Sequence, residues 1–277
     1  EWRRGMAAQM GRRAGRIACV LVAIFIAGYT LGAWALIWPD APGDVVQKKS
    51  GMRVDASHAS DGYVMVKYKE SEKALKLRIT KGEDTYTYDL NGEGRYEVIP
   101  LQLGSGKYKA TLYRQVSGSK YAQAAQVSFK ANLDREEAPF LCPNQYVWYE
   151  ADSPMVEMAR QLCAGLQSDR EKVDAVIAYL KSNFSYNYVR ALTVQSGYLP
   201  DLDAAFEEKM GICFDIAGIT AAMLRTQGIP VKVVIGYADR AYHAWNMIYV
   251  DGAYELADVT SALTMSTAGT YTTERVY

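Results

Sequence analysis

Apolar positions along this chain follow three different periods, and each period predicts a different kind of element. From Ile17 to Trp38 there are 22 consecutive residues without a charge. As a helix rising 1.5 Å per residue this run is about 33 Å long, enough to cross a hydrocarbon layer of about 30 Å. From about residue 52 to residue 131 the pattern becomes alternation. Leu75, Leu77 and Ile79 alternate with Lys76 and Arg78, and Tyr86, Tyr88 and Leu90 alternate with Thr85, Thr87 and Asp89. Period two predicts half-buried strands. The clusters Asn91-Gly92-Glu93-Gly94, Gly104-Ser105-Gly106 and Ser117-Gly118-Ser119 interrupt them at turn-like intervals, as in a small β-sandwich of immunoglobulin or fibronectin type.

From Ala138 onward helical spacing takes over. Asp152-Ser153-Pro154 reads as a helix start, with Val156, Ala159, Leu162, Cys163 and Leu166 along one stripe. A second helix opens with the capping-box pattern Ser168-Asp169-Arg170-Glu171 and carries Val173, Val176, Ile177 and Leu180 on one face. Residues 185–203 lack clear periodicity and read as a loop. Residues 213–227 read as one helix closed by Gly228 and Pro230, followed by strands at 231–237 and 242–250. Asp251-Gly252 then predicts a two-residue hairpin, in which position 250 pairs with 253. On that register His243 faces Thr260, Trp245 faces Asp258, and His243 and Asp258 become diagonal neighbours on one face.

These placements bring candidate chemistry into view. Cys213 sits in the first turn of its helix, where free N–H groups and the positive end of the helix dipole favour a thiolate. One of the chain's two histidines, His243, and the carboxylate of Asp258 follow at strand positions. Separately, a cysteine on an alanine-rich helix is usually inert, a histidine beside tryptophan is usually packed, and an aspartate at a strand end usually forms a turn. Together and in this order they are the parts of a thiol nucleophile site.

The segments GICFDIAGITAAMLRTQGIP, VKVVIGYA and YHAWNMIYVDGAYELADVT resemble the transglutaminase-like superfamily, papain-type thiol enzymes. The resemblance covers about residues 140–277 and implies an α+β, papain-like catalytic domain over residues 138–277. It further implies Cys213 as nucleophile, His243 as general base and acid, and Asp258 as the group orienting His243. Where relatives often read Asp-Pro-Thr, this chain has Asp258-Val259-Thr260, which keeps the carboxylate. The implied reaction is acyl transfer from a peptide or protein amide through a thioester, as a protease or amidase when water completes it and as a crosslinking transferase when an amine does. The competing reading is an exported binding or scaffold protein that keeps the fold without turnover. The Cys213 backbone N–H is one expected oxyanion donor.

Charge and the remaining residues refine the picture. Arg3, Arg4, Arg12, Arg13 and Arg16 precede the apolar run, and Asp40 and Asp44 follow it. The positive-inside rule therefore makes residues 1–16 a cytoplasmic tail, 17–38 a transmembrane helix, 39–51 a linker, 52–131 the sandwich, and the catalytic part extracytoplasmic. Cleavage as a signal peptide near Ala33-Trp34-Ala35, giving a secreted form, is the alternative. A glutamate at position 1 leaves room for residues ahead of it. Without residues 1–16 the chain keeps 26 basic and 30 acidic residues, a balance that gives no reason to expect a nucleic-acid partner. Two histidines and the absence of CxxC or HExxH speak against a metal, and no cofactor is expected. Cys163 reads as core, Cys142 as a loop residue, and His58 as solvated. The strand tyrosines read as packing residues, with a glycan- or peptide-binding surface as the alternative.

Overall fold

The computed structural model describes residues 37–266 and 268–277. The predicted transmembrane helix at 17–38 lies outside the described residues except for Ile37 and Trp38. Both are non-helical, and Trp38 sets its ring edge-on to Tyr149 at 6.1 Å. Among the described residues no helix is long and apolar enough to cross a membrane.

The amino-terminal half is built of β1 (Val46–Lys49), β2 (Met52–Asp55), β3 (Tyr63–Lys67), β4 (Leu75–Lys81), β5 (Asp84–Leu90), β6 (Glu97–Pro100), β7 (Gly106–Ser117) and β8 (Lys120–Ala131). They form two four-stranded antiparallel sheets, ordered β1-β2-β3-β6 and β5-β4-β7-β8. Strands begin at Val46, inside the stretch read as linker. The alternation does what period two requires: Leu75, Leu77 and Ile79 are buried while Arg78 points outward. They meet Val54, Val64, Val66 and Ile99 of the other sheet in one apolar core. Tyr63, Tyr88 and Tyr108 are almost fully buried, so these tyrosines are packing residues. His58 is not freely solvated. Its ring stacks on Tyr63 at 5.0 Å, and Nδ1 lies 2.7 Å from Asp61 Oδ2.

The carboxy-terminal half contains α1 (Pro154–Cys163), α2 (Asp169–Asn183), β9 (Ser185–Tyr186), α3 (Tyr188–Thr193), α4 (Leu202–Glu208), β10 (Met210–Gly211) and α5 (Cys213–Arg225). It continues through β11 (Val231–Ala238), β12 (Ala241–Val250), β13 (Ala253–Ala257), α6 (Val259–Thr264) and β14 (Tyr271–Val276). The Ser168–Glu171 capping box forms as read, and Val173, Val176 and Leu180 are buried. The segment 185–203 is not simply a loop. It holds β9 and α3, whose exposed Val189 and Leu192 hide the helix from any search for an apolar stripe.

The main sheet runs β13-β12-β11-β14, antiparallel throughout. Helix α5 is the centre of this half, buried from Asp215 to Arg225 and packed on β11 and β12 with α1, α2 and α4 around it. Only a helix apolar on nearly every side tolerates that position, which accounts for the run Ile216-Ala217-Gly218-Ile219 and Ala221-Ala222-Met223-Leu224.

Arg225 ends that helix as a buried cation. It donates to Val231 O from Nε (3.0 Å) and Nη2 (2.7 Å), to Cys142 O from Nη1 (2.6 Å) and to Tyr277 O from Nη2 (3.0 Å). One guanidinium thus joins the segment entering the domain, the helix, the start of β11 and the residue after β14. Its loss would strand several buried carbonyls. Arg225→Met is therefore expected to destabilise the fold by about 3 kcal/mol or more in urea unfolding with an unchanged slope. A change within about 0.5 kcal/mol would show that the network is dispensable.

Candidate active site

The nucleophile position is shaped by close packing before it. Gly211 pairs with Tyr186 in the short parallel β9–β10 ladder, and Asn187 N donates to Gly211 O at 2.9 Å. A β-carbon on residue 211 would lie 2.6 Å from the Asp215 β-carbon, so the approach requires glycine. Ile212 is extended, and α5 begins at Cys213. Asp215 then reaches back and accepts from Ile212 N at 2.9 Å, the acidic half of a capping box. The result is a partly exposed Cys213 at a pinned helix tip. The other described cysteines differ. Cys142 is buried and its thiol is pushed up to about 12, and burial also raises Cys163. Neither is set up as a nucleophile.

The histidine and the carboxylate arrive by the hairpin. Asp251 and Gly252 both have positive φ, 53° and 85°, as a type I′ turn demands. The pairs run from Val250 with Ala253 to Asn246 with Ala257, the register read from the turn. Pairing stops there, so Trp245 does not pair with Asp258, nor His243 with Thr260. Asp258 instead caps α6, accepting from Ser261 N at Oδ1 (3.0 Å). The same capping tendency that makes aspartate a poor strand residue takes over one position after the ladder.

His243 and Asp258 nevertheless meet, with Nε2 2.8 Å from Oδ2. That oxygen also accepts from Ser261 Oγ at 2.6 Å and Tyr271 OH at 2.9 Å. Trp245, buried beside the pair, stacks along the His243 ring at 6.3 Å and takes the edge of Tyr271 at 5.0 Å. Asn246 Nδ2 donates to Ala217 O at 3.0 Å, tying the histidine strand to the cysteine helix.

Burial works against a charged imidazole. The hydrogen bond to Asp258 and then the interaction with the Cys213 side chain outweigh it and raise His243 to about 9. Burial likewise pushes Asp258 up, but His243 and the Ser261 donors hold it down at about 2. With Nε2 taken by Asp258, Nδ1 is the nitrogen free to exchange a proton with sulfur. The structure therefore brings together all three side chains singled out from the sequence. It adds Ser261 and Tyr271, which load the carboxylate, and Tyr186, whose phenol faces the Cys213 backbone and is raised to about 12 by burial and by the nearby thiol. Ser261 had a local signal, three residues beyond an N-cap aspartate; Tyr186 and Tyr271 are long-range contacts with none.

Residues 156–258 match the family model described as the transglutaminase-like superfamily, a stretch that contains Cys213, His243 and Asp258. The chain carries a transglutaminase-like domain there. Among solved structures it is similar to a candidate cysteine protease from Cytophaga hutchinsonii, at 16% identity over 80% of this chain and 70% of that one, with a TM-score of 0.41. It is also similar to red sea bream transglutaminase, at 12% identity over 72% of this chain and 48% of the other (TM-score 0.33), and to a TGase at 24% identity over 38% and 29% (TM-score 0.32). The chain thus spans less than half the length of those two. No curated protein matches it.

Because His243 lies above its ordinary 6.5, its pairing stabilises the fold fully below pH 6.5 and is lost as pH rises through about 9. Asp258 lies below its ordinary 3.8, so its share is full above 3.8 and lost as pH falls through about 2. Asp258→Asn is expected to bring the His243 pKa down from about 9 toward 6.5 in an NMR titration, with His58 as the internal control. An unmoved His243 would mean that the carboxylate does not govern the ring.

Proposed function

We propose that this chain is a cysteine enzyme that transfers acyl groups from peptide or protein amides, with Cys213 as nucleophile, His243 as base and acid, and Asp258 as the orienting carboxylate. The observation that carries the reading is the 2.8 Å contact between His243 Nε2 and Asp258 Oδ2, beside a cysteine at a helix tip. In the first step the thiol proton passes to His243 Nδ1, and sulfur attacks the carbonyl carbon. The carbonyl oxygen takes the negative charge and is met by the Cys213 N–H. The C–N bond then breaks as His243 returns the proton to the departing amine or ammonia, leaving a thioester. Water or a second amine attacks that thioester, again losing its proton to His243, and Cys213 is regenerated.

The proposed setting is extracytoplasmic. The basic segment 1–16 and the uncharged run 17–38 support a single-pass anchor with the catalytic part outside, and the two-sheet half, of immunoglobulin or fibronectin type, stands as a spacer between them. Peptide or protein substrate is the proposed partner. No metal or cofactor is required by the mechanism above.

Incubation of the chain with a protein library, with and without an added primary amine, separates the two outcomes. New termini mean hydrolysis and incorporated amine means transfer. Cys213→Ala and His243→Ala are each expected to reduce either product by at least about 10³-fold. Product formation that survives Cys213→Ala would overturn the assignment.

A further inference from the structure

The carboxylate two residues beyond the nucleophile is buried and tightly held. Asp215 has a side chain with no solvent exposure, on the third residue of α5. It is held from three directions. Oδ2 accepts from Ile212 N at 2.9 Å, Oδ1 accepts from Tyr198 OH at 2.6 Å, and Arg190 Nη1 lies 3.6 Å from Oδ2. Arg190 comes from α3 and is itself 3.6 Å from Glu208 of α4, while Tyr198 comes from the irregular segment between α3 and α4. Gly211 leaves no slack on the remaining side, since any β-carbon there would strike Asp215. The first turn of the cysteine helix is therefore clamped to the wall formed by 188–200 through one buried carboxylate.

We propose that Asp215 is a positioning residue for Cys213, with Tyr198 and Arg190 as the groups that hold it in place. The inference rests on the thiol-enzyme reading above. A buried carboxylate of this kind fixes the backbone from which the sulfur projects. The groups facing it are Ile212 N, Tyr198, Arg190 and, at longer range, Tyr186. Replacing it by the amide of the same shape weakens those holds and should therefore loosen the geometry of attack while leaving the sulfur accessible. A residue with a purely structural role would lower every activity together.

The test uses the full-length chain, two probes of Cys213 and two variants. Iodoacetamide alkylation across pH reads the thiolate and needs no tetrahedral intermediate. Acetylation by p-nitrophenyl acetate, followed as nitrophenolate release, reads the aligned attack. Asp215→Asn is expected to slow acetylation about 10²-fold while alkylation stays within about twofold of the parent. Tyr198→Phe removes one donor, so it still reports if Asp215→Asn fails to fold. It is expected to slow acetylation about tenfold with a melting temperature within about 4 °C of the parent. Parent-like acetylation in Tyr198→Phe, together with parent-like acetylation, or acetylation and alkylation lowered equally, in any folded Asp215→Asn, overturns this inference alone. A parent chain that is not acetylated at Cys213 overturns the thiol-enzyme reading and this inference with it.

Discussion

An imidazole whose far nitrogen is held 2.8 Å from a carboxylate is the contact around which the site is arranged. That contact fixes which nitrogen remains for the sulfur, raises the basicity of the ring against its own burial, and stops the ring from turning. Its strength derives from the carboxylate being doubly employed. Asp258 starts a helix with one oxygen and receives His243, Ser261 and Tyr271 on the other. A group so saturated with donors stays ionised, and an ionised partner stabilises the imidazolium that forms when the ring takes the sulfur's proton.

The cysteine is located by a different device. Helix α5 is nearly all buried, so its tip cannot drift, and Arg225 anchors its far end through three separate carbonyl groups. Aromatic packing extends the support outward. Phe214, next to the nucleophile, stacks with Tyr146 at 6.0 Å; Tyr146 packs on Tyr277 at 4.1 Å, and Tyr277 takes the edge of Tyr86 of the β5 strand at 5.8 Å. The all-β half is thus in packing continuity with the residue beside Cys213, and Tyr86 is explained by that seam.

What could be read from the residues follows from range. The hairpin register around Asp251-Gly252, the capping box at Ser168 and the helix opening at Cys213 all depend on neighbours within a few positions, and each stands in the structure as expected. The helix α3 escaped notice because its apolar residues face outward, and the pairing of His243 with Thr260 fails because Asp258 prefers to cap a helix. His58 departs from the solvated expectation because a tight local turn brings Asp61 and Tyr63 onto its ring, and Asp40, distant in sequence, lies 2.7 Å from Nε2. Tyr198 and Arg190 at Asp215 and Tyr271 at Asp258 belong to this class as well. No local pattern announces a buried carboxylate's distant donors.

The most direct measurement is intact-mass spectrometry of the chain quenched in acid during reaction with an amide or activated-ester donor, followed by peptide mapping. The expectation is one acyl group, attached to the peptide carrying Cys213, released by hydroxylamine as thioesters are, and missing in His243→Ala. Acylation at Cys142 or Cys163 instead, or an adduct at Cys213 that forms equally well without the histidine, would contradict it.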